Sequence, residues 1–160
     1  MNWLTNFVKP KLTSLVKRKE VPENLWNNCP NCGNMIHEWS SDYQTGLSVY
    51  LLDDGSLLRT NRINNLNVFQ GGGIGGGIEK LDWDGNVIWS YPYNSSTYHQ
   101  HHDIEPLPNG NILILAWELK TAEEAVEQGR DPNLLEDNEL WPEHIIEIEP
   151  VGDNGANIVW

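Results

Sequence analysis

The chain has 160 residues, a mean hydropathy of -0.51 and a formal net charge of -13. That is enough length for one ordinary domain with its own core. No apolar run approaches the roughly 20 residues of a membrane helix, and an acidic body repels phosphate, which argues against nucleic acid as a partner. The charge is uneven. Residues 1–36 hold five Lys or Arg against two acids, whereas the remainder holds the other five bases against twenty-one acids.

The basic head, "MNWLTNFVKPKLTSLVKRK", has weak helical spacing that Pro10 interrupts, and it is expected to be loosely ordered. It lacks the compact apolar centre and the cleavage site of a secretory signal, so the start as written points to the cytoplasm. Cys29 and Cys32 follow in "CPNC", half of a zinc ribbon. Tetrahedral zinc needs four ligands, and no second cysteine pair follows. An unoccupied, incomplete site is expected; zinc would enter only with ligands from another chain, and no other cofactor is expected.

From residue 46 the texture becomes that of strands. "GLSVYLLDDGSLLRT", "IEKLDWDGNVIWSY", "HHDIEPLPNGNILILAW" and "HIIEIEPVGDNGANIVW" each place a β-rich run on either side of a tight turn, at Asp54-Gly55, Asp84-Gly85, Asn109-Gly110 and Asn154-Gly155. The first and third hairpins have apolar second strands, "SLLRT" and "NILILAW", which suggests cover on both faces. The second and fourth alternate and end in Trp89 and Trp160. An inner and an outer hairpin make a four-stranded antiparallel sheet. Two in succession predict an all-β chain, a partial β-propeller of about two blades, 46–93 and 99–160. A propeller of this kind closes with four or more blades, so the chain reads as a piece of a larger one, with open blade edges available for self-association.

Between the hairpins of the second sheet, Thr121 and Glu124 form a capping box, Ala122 to Gln128 favours helix, and Gly129 ends it. This predicts a short helical insertion. In "QGGGIGGGIEK", Gly71, Gly73 and Gly76 have dinucleotide-fingerprint spacing, but a strand and not a helix follows. Close approach of the backbone is the better account of these glycines. Asp84 and Gly85 in "LDWDGN" are explained by the turn, because the remaining acids of a calcium loop are missing.

Three of the five histidines, His99, His101 and His102, open the third hairpin in "YHQHHDIE". On an innermost strand they would sit at the mouth of a central channel. Alternation predicts that His101 and His102 point to opposite sides. His99 reads as loop polarity, and the three lie too close in sequence to wrap one metal ion unaided.

Residues 1–36, with "VPENLW" and the first cysteine pair, resemble the N-terminus of the carboxyltransferase β subunit of bacterial acetyl-CoA carboxylase. The second cysteine pair and the catalytic domain of that subunit are absent, so no carboxyltransferase activity carries over. Residues 38–160, in "EWSSDYQTGLSVYLLDDGSLLRT", "GGGIEKLDWDGNVIWSY", "HHDIEPLPNGNILILAWE" and "ELWPEHIIEIEP", resemble the bacterial arylsulfotransferase family. That resemblance implies a propeller, a periplasmic setting, an aryl sulfate and a phenol as small-molecule partners, and sulfuryl transfer through a sulfohistidine. It implies auxiliary charge-stabilising roles for His101 and His102, a weaker substrate-contacting role for Arg59, and a nucleophile beyond Trp160. The two resemblances together imply a fused, truncated chain that meets at 37 and is inactive alone. The alternatives are a non-catalytic binding or scaffold module and an accessory piece of acetyl-CoA carboxylase.

Overall fold

The computed structural model describes residues 35, 37–63 and 71–160. The expected loose order of the head, with Cys29 and Cys32, falls outside them. The chain divides into residues 1–40 and 41–160, and the second unit holds both sheets.

The first sheet comprises β1 (Gln44–Leu51), β2 (Leu57–Arg62), β3 (Gly76–Leu81) and β4 (Val87–Pro92), paired antiparallel in chain order. The second comprises β5 (Tyr98–Pro106), β6 (Ile112–Glu118), β9 (Glu143–Val151) and β10 (Gly155–Ile158), also in chain order. The predicted all-β class and its two four-stranded antiparallel sheets are therefore present. Among the described residues neither sheet closes on itself.

Local chemistry sets the hairpins. Gly55, Gly85 and Gly110 take φ of 85°, 88° and 92°, conformations that L side chains adopt at a cost. In each the chain folds back on itself, as where the Leu52 N–H donates to the Ser56 carbonyl at 2.8 Å and the Leu107 N–H to that of Asn111 at 2.8 Å. The fourth turn differs from expectation. Gly152, not Gly155, takes the left-handed φ of 61°, and Gly155 opens β10 opposite Val151.

Between β6 and β9 lie β7 (Lys120–Thr121), the helix α1 (Ala122–Glu127), a 3-10 turn at Pro132–Leu134 and β8 (Glu139–Leu140). Both bonds of the capping box are made: the Thr121 N–H donates to Glu124 Oε2 at 2.8 Å, and the Glu124 N–H to Thr121 Oγ1 at 3.3 Å. Gly129, at φ 95°, ends the helix.

The core lies between the sheets. Leu58, Ile78 and Trp89 of the first pack against Ile104, Ile112, Ile114 and Ile148 of the second. Fully burying such a side chain is worth about 1.5–3 kcal/mol. The inner strands are tied by Ser48 Oγ donating to Asp103 Oδ1, and by the Tyr50 hydroxyl donating to Glu105 Oε2 at 3.1 Å. At the outer edge, Trp89 Nε1 donates to the Gly155 carbonyl at 2.9 Å and the Ser90 N–H to that of Asp153 at 3.0 Å. The expected double cover of β6 is partial: Ile112, Ile114 and Ala116 are buried, whereas Leu113 and Leu115 are half-buried. These two share the outer face of the second sheet with Ile145, which is 51% exposed.

Candidate functional site

The polar cluster at the start of β5 is built by a bulge. Gln100 pairs with Ala116 and Ile104 with Ile114, so His101, His102 and Asp103 stand opposite Leu115 alone. Extra residues on one strand interrupt its side-chain alternation. The expectation that His101 and His102 point to opposite sides fails for that reason. Their rings lie side by side, with centroids 4.3 Å apart at 65° and the two Nδ1 atoms in contact.

Neighbouring strands hold the pair. The Trp117 ring meets His101 edge-on at 3.9 Å. Glu143, opposite Trp117 on β9, brings Oε1 to 3.9 Å from His101 Nε2. On the first sheet, Thr60 Oγ1 lies 3.4 Å from the His102 carbonyl. The glycine run packs against the same stretch: the Gly76 N–H donates to Gln100 Oε1 at 2.7 Å and the Gly75 N–H to the Gln100 carbonyl at 3.3 Å. A Cβ on Gly75 would run into Gln100 Oε1 and the His101 carbonyl, so this close approach requires glycine there.

His99 is not loop polarity. It lies within β5, is 1% exposed, and stacks almost parallel to Trp117 at 6.2 Å and 7°. Both of its ring nitrogens are buried without a hydrogen-bond partner. Burial, reinforced by His101, holds its pKa below the ordinary histidine value. His101 is held low by burial and by His102, against the opposing pull of Glu143. His144 on β9 is also held low by burial, and its Nε2 lies 3.3 Å from the Tyr93 hydroxyl.

Arg59 is engaged elsewhere. Its Nε lies 3.3 Å from Glu79 Oε1, with the two side chains only 12% and 2% exposed, and Nη2 donates to the Tyr43 carbonyl at 3.1 Å. Its neighbour Thr60 faces the histidine strand, so alternation turns Arg59 the other way. His101 and His102 are thus brought together, and Arg59 is not brought to them. Among the described residues no three His, Cys, Asp or Glu side chains converge as metal ligands.

Sequence inspection missed Trp117, Glu143, Thr60 and Gln100. Only Gln100 stood beside a feature already under suspicion; the others depend on strand register.

No family model matches the chain, and no solved structure matches it. Curated proteins do. The chain is 44% identical over 73 residues to the acetyl-coenzyme A carboxylase carboxyl transferase subunit beta of Dinoroseobacter shibae, a match covering 45% of this chain and 22% of that protein. It is 58% identical over 36 residues to the subunits of the same name from Sinorhizobium medicae and Rhizobium meliloti, covering 22% of this chain and 12% of each of those. The chain thus spans less than a quarter of the length of these relatives. They bear out the carboxyltransferase β resemblance over a segment and correct the other expectation. The relatives found are carboxylase subunits and not sulfotransferases, so the arylsulfotransferase identification and its partners, an aryl sulfate and a phenol, are withdrawn. No helix among the described residues is long and apolar enough to cross a membrane.

Proposed function

We propose that the chain is an accessory piece of acetyl-CoA carboxylase, working in the cytoplasm: a carboxyltransferase-β-like leader, residues 1–37, joined to a non-catalytic binding module, residues 38–160. The observation that carries this is the 58% identity over 36 residues to carboxyltransferase β subunits. The relatives' catalytic function is not transferred, because the matched segment is a small fraction of their length. In this proposal Cys29 and Cys32 supply two thiolates of a zinc site, and a partner chain supplies the other two ligands. The module is read as two consecutive propeller blades. Support comes from the meander order of both sheets and from inner strands tied through Ser48–Asp103 and Tyr50–Glu105. The half-open apolar face at Leu113, Leu115 and Ile145 is consistent with a binding role.

The test is co-expression of the full chain with the carboxyltransferase subunits of an acetyl-CoA carboxylase, followed by co-purification and zinc analysis. Co-elution with bound zinc, both lost in a Cys29→Ser/Cys32→Ser variant, is the expected result. A chain that elutes alone and free of zinc in the presence of those subunits overturns the proposal.

A further inference from the structure

Apart from any carboxylase role, the bulge in β5 makes an arrangement that a regular strand cannot. Adjacent residues on a regular strand face opposite ways, yet His101 and His102 meet through Nδ1. We propose that this pair is a binding site for a monovalent d10 cation, Cu(I), held between the two Nδ1 atoms.

The donor count selects the ion. Structural zinc takes four protein ligands and catalytic zinc three, and no three ligating side chains converge among the described residues. Cu(I) is satisfied by two donors in a line, and imidazole nitrogen suits copper. Metal–nitrogen bonds of roughly 2 Å would part the two nitrogens to roughly 4 Å. His102 is only partly buried, so its ring has room to swing. Gly73, whose absent side chain would lie 3.0 Å from His102 Nδ1, leaves that side open.

The surroundings favour the tautomer that ligation needs. Glu143 Oε1 faces His101 Nε2 at 3.9 Å, too far for a hydrogen bond but near enough that its charge favours a proton on Nε2 and leaves the Nδ1 lone pair for the metal. In the metal-free pair, one Nδ1–H donates to the other ring's Nδ1 lone pair. On ligation that proton moves to Nε2 of the same ring, both rings stay neutral, and no proton is released. The Trp117 ring shields one side of His101. No oxidation or reduction takes part; the site holds the ion.

Cys29 and Cys32 are softer ligands and would compete, so the test uses the full chain with both changed to Ser. It is titrated anaerobically with Cu(I) against bicinchoninate, with X-ray absorption at the copper edge. The expected result is one Cu(I) per chain with a two-coordinate, all-nitrogen signature. That ion is lost in His101→Ala and in His102→Gln, weakened about tenfold in Glu143→Gln, and unchanged in His37→Gln. No copper retained, copper retained in His102→Gln, or a three-coordinate signature overturns the proposal. The absorption signature is read on chains with all histidines intact, so it decides even where a histidine variant misfolds.

Discussion

The first strands of the two sheets carry the same backbone device filled in different ways. In β1 the pairing runs from Thr45–Asn61 to Val49–Arg59, so Gly46, Leu47 and Ser48 stand opposite Thr60 alone. In β5 the corresponding three are His101, His102 and Asp103, opposite Leu115. The β1 bulge is closed from across the ladder. Thr60 Oγ1 occupies the space a Gly46 side chain would need and bonds the Ser48 N–H at 3.2 Å. Leu115 has no polar group to offer the β5 bulge, which is closed from within: Asp103 Oδ1 accepts the Ile104 N–H at 3.0 Å, and two imidazoles fill the rest. The bulge is common architecture, and the residues loaded into it decide whether it is inert or chemically usable.

The largest expected effect tests how tightly each bulge is closed. In Gly75→Ala the new methyl meets the His101 backbone carbonyl as well as Gln100, and a backbone atom yields less readily than the end of a flexible side chain. A loss of about 3 kcal/mol is expected. In Gly46→Ala the methyl meets Thr60 Oγ1, which rotation about χ1 can clear, and Thr60 Cβ at 2.6 Å, which it cannot, so about 2 kcal/mol is expected. Urea denaturation of both variants measures the pair. Equal losses would mean that the glycine run does not fix the histidine bulge.

A smaller effect follows from where the titratable groups lie. His99, His101 and His144 all belong to the second sheet, and burial holds each below its ordinary pKa. The unfolded chain, with histidines near 6.5, therefore binds protons that the folded chain refuses. Stability from these groups is fully present above that value and is lost as pH falls through it toward the folded values. Glu143 opposes the shift at His101 and Glu118 that at His144, which moderates the loss. The urea midpoint is expected to fall between pH 7.5 and pH 5.5, and the fall to shrink in His99→Leu. A flat profile would place these rings in contact with water.

The turns were legible because their causes are local. Asp54-Gly55, Asp84-Gly85 and Asn109-Gly110 require left-handed glycines wherever the rest of the chain lies, and Thr121 with Glu124 caps α1 from within four residues. The chain-order meander followed from those turns. The site was less legible because it depends on register. Nothing near His101 announces that two extra residues will stand opposite Leu115, or that Glu143, on a strand beyond the helical insertion, will arrive at Nε2. His99 read as polar loop because its burial comes from Trp117 across the ladder. Arg59 looked free for an anion because its partner Glu79 lies beyond the glycine run, on a strand paired in register.

The smallest effect probes the seam between the bulged strands. Ser48 and Asp103 occupy the last bulge position in their sheets, and Tyr50 and Glu105 each lie two residues further on. The bonds across the seam therefore join corresponding positions of two similar strands. Burial first, then the bond and charge of Glu105, push the Tyr50 hydroxyl up to about 12. Tyr50→Phe removes one donor from a solvent-facing carboxylate that water can satisfy, so about 0.5–1 kcal/mol is expected. Glu105→Gln should bring the Tyr50 titration, followed by its ultraviolet absorbance, back toward 10, because both contributions from the carboxylate vanish while burial remains. A double-mutant cycle isolates the pair. Coupling near zero would mean that the seam is held by the apolar residues behind it, Leu58 against Ile104 and Ile114, and that the hydroxyl–carboxylate bonds only set its register.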